Sequence, residues 1–361
     1  MKPINIFIDC HVFDGGFQGT TSYIRGIYQE LVKHSYINFY FASHDMAVLK
    51  DVFGTAENIY YLQYSSHNKF WRLLVDIPKL IKDNKIDYAH FQYIVPPIKY
   101  CKYINTVHDV LFLDYPRYFP LSYKIKNKFL FKWSARHSDI VLTVSEYSKN
   151  QIKKHFGINQ VFVTPNAVDT IFFKKYDKSK MEAEVLSKFK VQNYWLFISR
   201  WEPRKNHHTL LKVFVDGEFY KNHDLVFVGD KAILNQHYNQ LYNSLSEDIK
   251  KKIHSFSKVT FSDLLLFLRG ARLSVYPSIA EGFGIPPLEA VAAGIPSVCS
   301  GTTSMADFSF LKKYSFNPLD ASDVDNIIRE TLRDFEPIPK ETILEMYNWK
   351  IGAEALYKLL K

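Results

Sequence analysis

The chain has 361 residues, of which 47% are hydrophobic and 23% charged, and this length favours two domains of roughly 150 to 180 residues. Its net charge of +9 fits three kinds of partner, namely nucleic acid, anionic lipid or a phosphorylated small molecule. Cys10, Cys101 and Cys299 lie far apart in apolar runs, which favours reduced core thiols over disulfides. The N-terminal apolar run is too short for a signal peptide, and no run approaches the about 18 apolar residues of a membrane span. We expect a cytoplasmic protein, either soluble or peripheral on the inner face of the plasma membrane.

Short β-branched or aromatic runs alternate with helical periodicity along the whole chain. Strands alternating with helices predict an α/β fold with parallel sheets and helices on both faces. The pattern breaks after 161–169, so we predict a first domain over 1–170 and a second over 171–346. The predicted strands are 4–10, 37–43, 58–64, 88–92, 103–109 and 139–145, then 194–199, 225–230, 258–262, 273–278 and 295–300.

A glycine-containing loop follows the first predicted strand. Gly15, Gly16 and Gly19 lie between this strand and a helix that starts near Thr20. The spacing differs from the G-x-G-x-x-G fingerprint, so it gives little support to NAD binding. Gly19 is the strongest candidate for a functional contact because it lies beside the helix N-terminus, and a plain strand–helix turn is the alternative.

Histidines and a basic aromatic stretch follow in the first domain. His90 and His108 end neighbouring predicted strands, where a structural role and a role in a cleft are both open. The stretch 116–137 interleaves aromatic residues with Lys124, Lys126, Lys128 and Lys132. It fits an anionic membrane surface, and equally an ordinary helix with an apolar stripe towards the core.

Cations follow the first strand of the second domain. Arg200, Arg204 and Lys205 lie directly after the strand 194–199, where a cluster of this kind suits an anionic ligand. A solvated basic loop is the alternative. Asn206 has the residue type of a helix N-cap.

The segment 277–294 is the most informative. A strand ends at Pro277, a turn carries Glu281, and a helix starts at Pro286 and ends before Gly294, which is the expected punctuation of a helix. Ligands of parallel sheets bind at the carboxyl ends of strands, and helix N-termini favour anions. We predict that Glu281, before the helix, and Glu289, in its first turn, face one polyhydroxylated ligand.

These motifs resemble those of a known family. The string EGFGIPPLEAVAAGIPSV (281–298) resembles the donor-site motif of the retaining glycosyltransferases of family 4, with two glutamates separated by seven residues. FISRWEPRKNHHTLLKVF (197–214) resembles the phosphate-binding segment of that family. The resemblance implies the GT-B architecture, in which two Rossmann-like parallel-sheet domains face each other across a cleft. It also implies a C-terminal helix, 347–361, that returns to the first domain.

The resemblance also implies roles for individual residues. Arg200 and Lys205 would bind the donor diphosphate, with Arg204 as a further candidate. Glu281 would contact the transferred sugar and Glu289 the ribose. His108 would line the sugar's other side, with His90 as a weaker candidate. The remaining donor-binding residues would be Gly16 and Gly19 in the first domain and Gly282, Phe283, Gly284 and Ile285 in the second.

The implied activity is that of a retaining hexosyltransferase of polysaccharide biosynthesis. Its partners would be a nucleotide sugar, with mannose from GDP-mannose as the specific expectation, and a saccharide or lipid-linked saccharide acceptor. We expect no metal and no cofactor, and we interpret Asp323 and Asp325 as helix-capping residues. The alternatives are a sugar-nucleotide epimerase of the same fold and a basic nucleic-acid-binding protein. We expect no nucleic-acid partner, because no recognised module is present and the basic residues form no single stripe.

Overall fold

The computed structural model describes residues 3–15, 19–231, 233 and 235–361. Gly16, a predicted donor contact, lies outside the described residues. The chain forms two compact units, Met1–Ala167 with Asn348–Lys361, and Val168–Tyr347.

The first unit contains a parallel sheet in the order β3-β2-β1-β4-β5-β6-β7. Its strands are β1 Ile4–Asp9, β2 Ile37–Ser43, β3 Ile59–Gln63, β4 Tyr88–Gln92, β5 Lys102–Thr106, β6 Ile140–Thr143 and β7 Phe162–Val163. Its helices up to the domain boundary are α1 Gly19–Leu31, α2 Met46–Phe53, α3 Lys69–Trp71, α4 Ile77–Asp83, α5 Leu111–Asp114, α6 Leu121–Arg136 and α7 Glu146–Phe156. A π-helical turn, Arg72–Asp76, joins α3 to α4.

The second unit contains a parallel sheet in the order β10-β9-β8-β11-β12-β13. Its strands are β8 Tyr194–Ile198, β9 Asp224–Val228, β10 Ile253–Phe256, β11 Leu273–Tyr276, β12 Ser297–Ser300 and β13 Ser315–Phe316. Its helices are α8 Lys178–Phe189, α9 His207–Asp216, α10 Gln236–Ser244, α11 Glu247–Lys250, α12 Phe261–Gly270, α13 Ile285–Ala292, α14 Ala321–Arg333 and α15 Lys340–Met346.

One predicted strand is wrong. Residues 258–262 do not form a strand, because Thr260 caps α12 by accepting a hydrogen bond from the Asp263 N–H. The strand is β10, which lies just before this segment.

The C-terminal helix, α16 Trp349–Leu360, belongs to the first unit and packs on α1. The helices approach closely because two of the facing residues are glycines. A Cβ at Gly26 would lie 2.1 Å from the Trp349 ring, and one at Gly352 would lie 2.5 Å from Ile27. Among the described residues, no helix is both long enough and apolar enough to cross a membrane.

Each sheet has one place where the strand order reverses. These switch points are β1/β4 in the first unit and β8/β11 in the second. The connections leave a switch point towards opposite faces of the sheet, which opens a crevice at the carboxyl ends of the two strands. The switch points therefore mark where a ligand-binding site is expected in each unit.

Candidate active site

The segments that follow β8 and β11 meet at the switch point of the second unit. The Ile279 N–H donates to the Arg204 carbonyl at 2.8 Å, which joins the two segments. Asn206 is buried and its side-chain amide donates to the Pro277 and Pro318 carbonyls at 3.2 and 2.8 Å. Asn206 lies at the N-cap position of α9, as predicted, but its side chain fastens loops together instead of capping a backbone N–H.

Glu281 lies at the centre of an ion cluster. Its carboxylate contacts Lys205 Nζ at 2.5 Å and an Arg204 guanidinium nitrogen at 3.1 Å. Arg204 also contacts Glu202 at 2.9 Å and donates to the Ala280 carbonyl at 2.8 Å. The side chains of Lys205 and Glu281 are only 17% and 14% exposed, so both are largely buried against each other. The structure makes Lys205 and Arg204 direct partners of the glutamate.

The ion cluster decides the charge of Glu281. Burial alone would raise the pKa of this carboxyl, but attraction to Lys205 and Arg204 outweighs it and lowers the pKa to about 2. Burial lowers the pKa of Lys205, and the contact with Glu281 opposes this shift. Glu281 is therefore ionised at neutral pH, and its charge is compensated within the cluster.

Arg200 is placed differently from Lys205. It follows the end of β8, is exposed, and forms no ion pair with any residue that the structure describes. Its backbone is held close to the end of β9, since a Cβ at Gly229 would lie 2.1 Å from the Ser199 carbonyl oxygen. Arg200 thus combines a fixed backbone with a guanidinium available to an anion.

A polar loop after β12 holds the turn that carries Glu281. Thr302 Oγ1 donates to the Ile279 carbonyl at 3.0 Å, and Thr303 Oγ1 accepts from the Glu281 N–H at 3.0 Å. Ser304 Oγ donates to the Glu281 and Phe283 carbonyls at 2.8 and 2.9 Å. Sequence reasoning missed these three residues, and the signal for them was a polar run directly after a predicted strand.

The rest of the predicted donor motif lies at the start of α13. Gly284 has φ +92°, and a Cβ there would lie 2.7 Å from Met305, so this position requires glycine. The Phe283 side chain is buried against Phe308 and Tyr347, which leaves only its backbone for a ligand. The N–H groups of Phe283, Gly284 and Ile285 donate to no group in the described part of the chain and are available to an anion at this helix end.

Glu289 lies in the second turn of α13, not in the first as predicted, because the helix begins at Ile285. Burial and the nearby Asp169 raise the pKa of Glu289 to about 8. Its carboxyl accepts no hydrogen bond from the residues that the structure describes. A partly neutral carboxyl without a protein partner suits hydroxyl groups of a ligand.

Of the candidate residues of the first unit, His90 lies in the middle of β4 and His108 lies two residues after the end of β5. His108 is buried beside the Tyr23 ring and contacts Gln92 Oε1 through Nε2 at 2.8 Å. Burial lowers the pKa of His108 to about 3, so it is neutral. Both ring nitrogens of His90 form hydrogen bonds, one with the Tyr28 hydroxyl and one with the Thr106 hydroxyl. Because both nitrogens have protein partners, His90 has a structural role.

Gly19 is the first residue of α1, and a Cβ there would have no atom within 4 Å. Glycine at this position is thus not required by packing, which leaves room for a ligand at the helix N-terminus. A Cβ at Gly15 would likewise have no atom within 4 Å.

Asp323 and Asp325 lie in the first turns of α14, whose N-cap is Asp320. Asp323 accepts from the Asn317 N–H at 2.7 Å, and Asp325 pairs with Arg329 at 2.7 Å. Within the described ranges, no group of three or more His, Cys, Asp or Glu side chains is arranged to hold a metal ion.

Two parallel α/β units, each with a switch point, define the class of the protein as a two-domain glycosyltransferase fold of the GT-B type. The family described as Glycosyltransferase Family 4 matches residues 17–172, and the family described as Glycosyl transferases group 1 matches residues 179–340. The chain belongs to the family 4 glycosyltransferases.

Individual relatives agree with this assignment. The chain is 30% identical over 200 residues to the O-antigen chain mannosyltransferase RfbU of Salmonella typhimurium, with 54% of this chain and 51% of that protein covered. It is 27% identical over 263 residues to O-antigen chain mannosyltransferase B of Escherichia coli, with 69% and 67% covered. The matches thus span between half and two thirds of these relatives.

Solved structures share the fold. Sucrose-phosphate synthase of Thermosynechococcus elongatus has a TM-score of 0.75 at 16% identity, with 99% of this chain and 98% of that chain covered. The Anabaena protein HepE, solved in complex with UDP and glucose, has a TM-score of 0.72 at 14% identity, with 99% of both chains covered.

Removing each of the two cations predicted to bind the donor should have different effects on stability. Arg200→Ala and Lys205→Ala should each lower turnover by roughly 10²-fold, the usual scale for losing one charge-stabilising donor. The melting temperature of Arg200→Ala should match wild type, because Arg200 is exposed. Lys205→Ala should lose about 3 kcal/mol of unfolding free energy, because it leaves the buried Glu281 carboxylate short of a partner. Equal melting temperatures for the two variants would contradict the ion cluster.

Glu289→Gln should change how stability depends on pH. In the folded protein the pKa of Glu289 is about 8, whereas in the unfolded chain its pKa is the ordinary 4.5. The folded state therefore binds more protons between these values, and wild-type stability falls as pH rises through this window. The melting temperature of Glu289→Gln relative to wild type should rise from about pH 5 to about pH 8. The control is Glu345→Gln, which changes an exposed glutamate. If the melting temperature of Glu289→Gln relative to wild type changes with pH no more than that of the control, the raised pKa of Glu289 is refuted.

Proposed function

We propose that this protein transfers a hexosyl group from a nucleotide sugar to a saccharide or lipid-linked saccharide acceptor, with retention of configuration and without a metal ion. One observation carries the proposal, namely the contact of Glu281 with Lys205 and Arg204 at the β8/β11 switch point. It combines a carboxylate that accepts hydrogen bonds from sugar hydroxyls with cations that favour a diphosphate.

The chemistry follows from the charges at the site. When the bond between the anomeric carbon and the donor phosphate oxygen breaks, the departing nucleoside diphosphate gains negative charge. Arg200 and Lys205 stabilise that charge, with the α13 N-terminus as a further donor of hydrogen bonds. The acceptor hydroxyl forms the new bond on the same face of the sugar and gives its proton to the departing phosphate oxygen. No side-chain nucleophile takes part.

We propose a metal-independent reaction because the protein itself supplies positive charge at the site. Glu202 and Glu281 balance Arg204 and Lys205 within the cluster, and Arg200 adds one cation with no carboxylate partner among the described residues. A diphosphate that enters the site meets this surplus charge together with the free N–H groups of α13. These groups take the place of a divalent cation.

Further residues bind the remainder of the donor. Glu289 accepts hydrogen bonds from the ribose hydroxyls, for which its unpartnered carboxyl is suited. Gly19 lets the α1 N-terminus approach the donor phosphate, and neutral His108 lines the sugar. We further propose GDP-mannose as donor and polysaccharide assembly as the process, on the similarity to the two O-antigen chain mannosyltransferases. The HepE structure holds UDP and glucose, so the nucleotide is the first variable to test.

The basic helix α6 supports a second proposal, peripheral attachment to the anionic inner face of the plasma membrane. Its buried side packs Phe131 and Ala135 into the core. Leu121, Ile125 and Phe129, spaced four residues apart, form an exposed apolar stripe, so the helix does not bury all of its apolar residues. Of these three residues only Phe129 is aromatic. The exposed stripe of α6 therefore consists mainly of aliphatic residues, whereas the sequence pattern drew attention to aromatic ones.

Product analysis with GDP-, UDP- and dTDP-sugars tests the proposed transfer. The matching donor at 100 times its Kd should stabilise the fold by about 2.7 kcal/mol, which identifies it in a thermal-shift screen. With an acceptor, the product should carry the sugar, and excess EDTA should not reduce the rate. Glu281→Gln should lower kcat, whereas Glu289→Gln should mainly raise the donor KM because ribose lies away from the breaking bond. Conversion of the nucleotide sugar without an acceptor would instead establish an epimerase, and loss of activity in EDTA with rescue by Mn²⁺ would contradict metal independence.

Liposome flotation tests the membrane proposal. Wild type should float with anionic liposomes only, and less at high salt, since each lysine near an anionic surface contributes about 1 kcal/mol. A variant with glutamate at Lys124, Lys126, Lys128 and Lys132 should not float. The control replaces four exposed lysines of the second unit by glutamate, namely Lys174, Lys188, Lys251 and Lys313. Equal flotation of both variants, or none by wild type, would refute attachment through α6.

A further inference from the structure

A cavity in the first unit contains none of the residues assigned above. It has a volume of about 280 Å³ and lies beyond the carboxyl ends of β1, β2 and β3. Its walls are formed by side chains that follow these three strands, namely His11, Asp14, His44, His67, Lys69 and Arg72. The carboxyl ends of parallel strands are where such sheets bind ligands.

Arg72 is the buried charge of this cavity. It is only 7% exposed, and its Nε has no hydrogen-bond partner in the described part of the chain. Its nearest carboxylate oxygen, on Asp9, is 3.9 Å away. Asp9 already accepts a hydrogen bond from the Tyr64 hydroxyl at 2.7 Å and lies 3.0 Å from a ring nitrogen of His11. The guanidinium therefore retains N–H groups for a further acceptor, and a buried unpartnered donor is costly unless a ligand satisfies it.

The other groups at the cavity add to its capacity for an anion. Asp14, the carboxylate in its wall, is turned to the backbone, where it accepts from the N–H groups of His44 and Asp45 at 3.0 Å. Partial burial, with repulsion from Arg72 and Lys126, lowers the pKa of Lys69. An anion placed between Lys69 and Arg72, which both line the cavity, would relieve their mutual repulsion.

An apolar surface adjoins the cavity. The helical segment that begins with Lys69 leaves Phe70 72% and Trp71 49% exposed, and Leu74 and Val75 are also exposed. On the opposite side of this segment, Leu73 packs into the core. The ligand chemistry that fits both features is an anionic head attached to an apolar chain.

We propose that this cavity binds a phosphoryl group of the acceptor, through the Arg72 guanidinium and the Lys69 ammonium, with the apolar part of the acceptor against Phe70, Trp71 and Leu74. The inference rests on the proposed function only in naming the ligand as the acceptor of the transfer. It assigns Lys69 and Arg72 to acceptor binding and leaves the donor-binding residues proposed above unchanged.

Calorimetric titration of the full chain with three small probes tests this proposal. The probes are n-octyl phosphate, inorganic phosphate and n-octyl β-glucoside, each below its micellar concentration. Wild type should bind both phosphates and not the glucoside. Lys69→Ala and Arg72→Lys should each weaken phosphate binding at least tenfold. Arg72→Lys keeps a charge opposite Asp9, so its melting temperature should stay near wild type and the loss should report the missing guanidinium. The matched control is Lys79→Ala, which removes an exposed lysine of α4 and should bind as wild type does.

The probes also separate two sources of the phosphoryl group. At least tenfold tighter binding of octyl phosphate than of inorganic phosphate, with the advantage lost in Leu74→Ser, assigns a lipid phosphate. Equal affinities assign a soluble phosphate ester at the same site. Wild-type affinity in both Lys69→Ala and Arg72→Lys, or equal binding of octyl glucoside, would overturn the anion site. The titration contains no nucleotide sugar, so a protein that binds phosphate here but transfers no sugar would refute the proposed function alone.

Discussion

The site in the second unit depends on charge compensation around Glu281. A carboxylate removed from water is costly unless cations and hydrogen bonds replace its hydration, and Lys205 and Arg204 supply both. This compensation requires two loops that are distant in sequence to meet. They meet because the strand order places β8 beside β11, with the crevice of the sheet at their carboxyl ends.

Two glutamates of one short segment have carboxyl groups whose pKa values are shifted in opposite directions. Glu281, among cations, has a pKa near 2, and Glu289, buried beside Asp169, has a pKa near 8. Seven residues of sequence separate them, but their surroundings differ in charge, and this difference gives them different chemistry. The loop around Thr303 and Ser304 fixes the turn between β11 and α13, so the first carboxylate is held in place before any ligand arrives.

The sequence predicted the features that depend on local pattern. Alternating strands and helices indicated the parallel α/β fold, and proline and glycine punctuation placed the turn and helix around Glu281. It failed where tertiary contacts decide. The segment 258–262 has β-branched residues, yet the cap at Thr260 starts a helix there. The pairing of Lys205 with Glu281 was not predicted, because the two residues lie 76 positions apart in the chain. The cavity around Arg72 was not predicted, since its walls come from three separate strand ends.

A double-mutant cycle on Lys205 and Glu281 tests the central claim most directly, with unfolding free energies measured by denaturant at neutral pH. If the two charges compensate each other, Lys205→Ala should cost several times more stability in the wild-type background than in the Glu281→Gln background. The coupling energy should exceed about 1 kcal/mol, which is above the scatter expected of independent sites. Additive effects, within about 0.5 kcal/mol, would contradict the account.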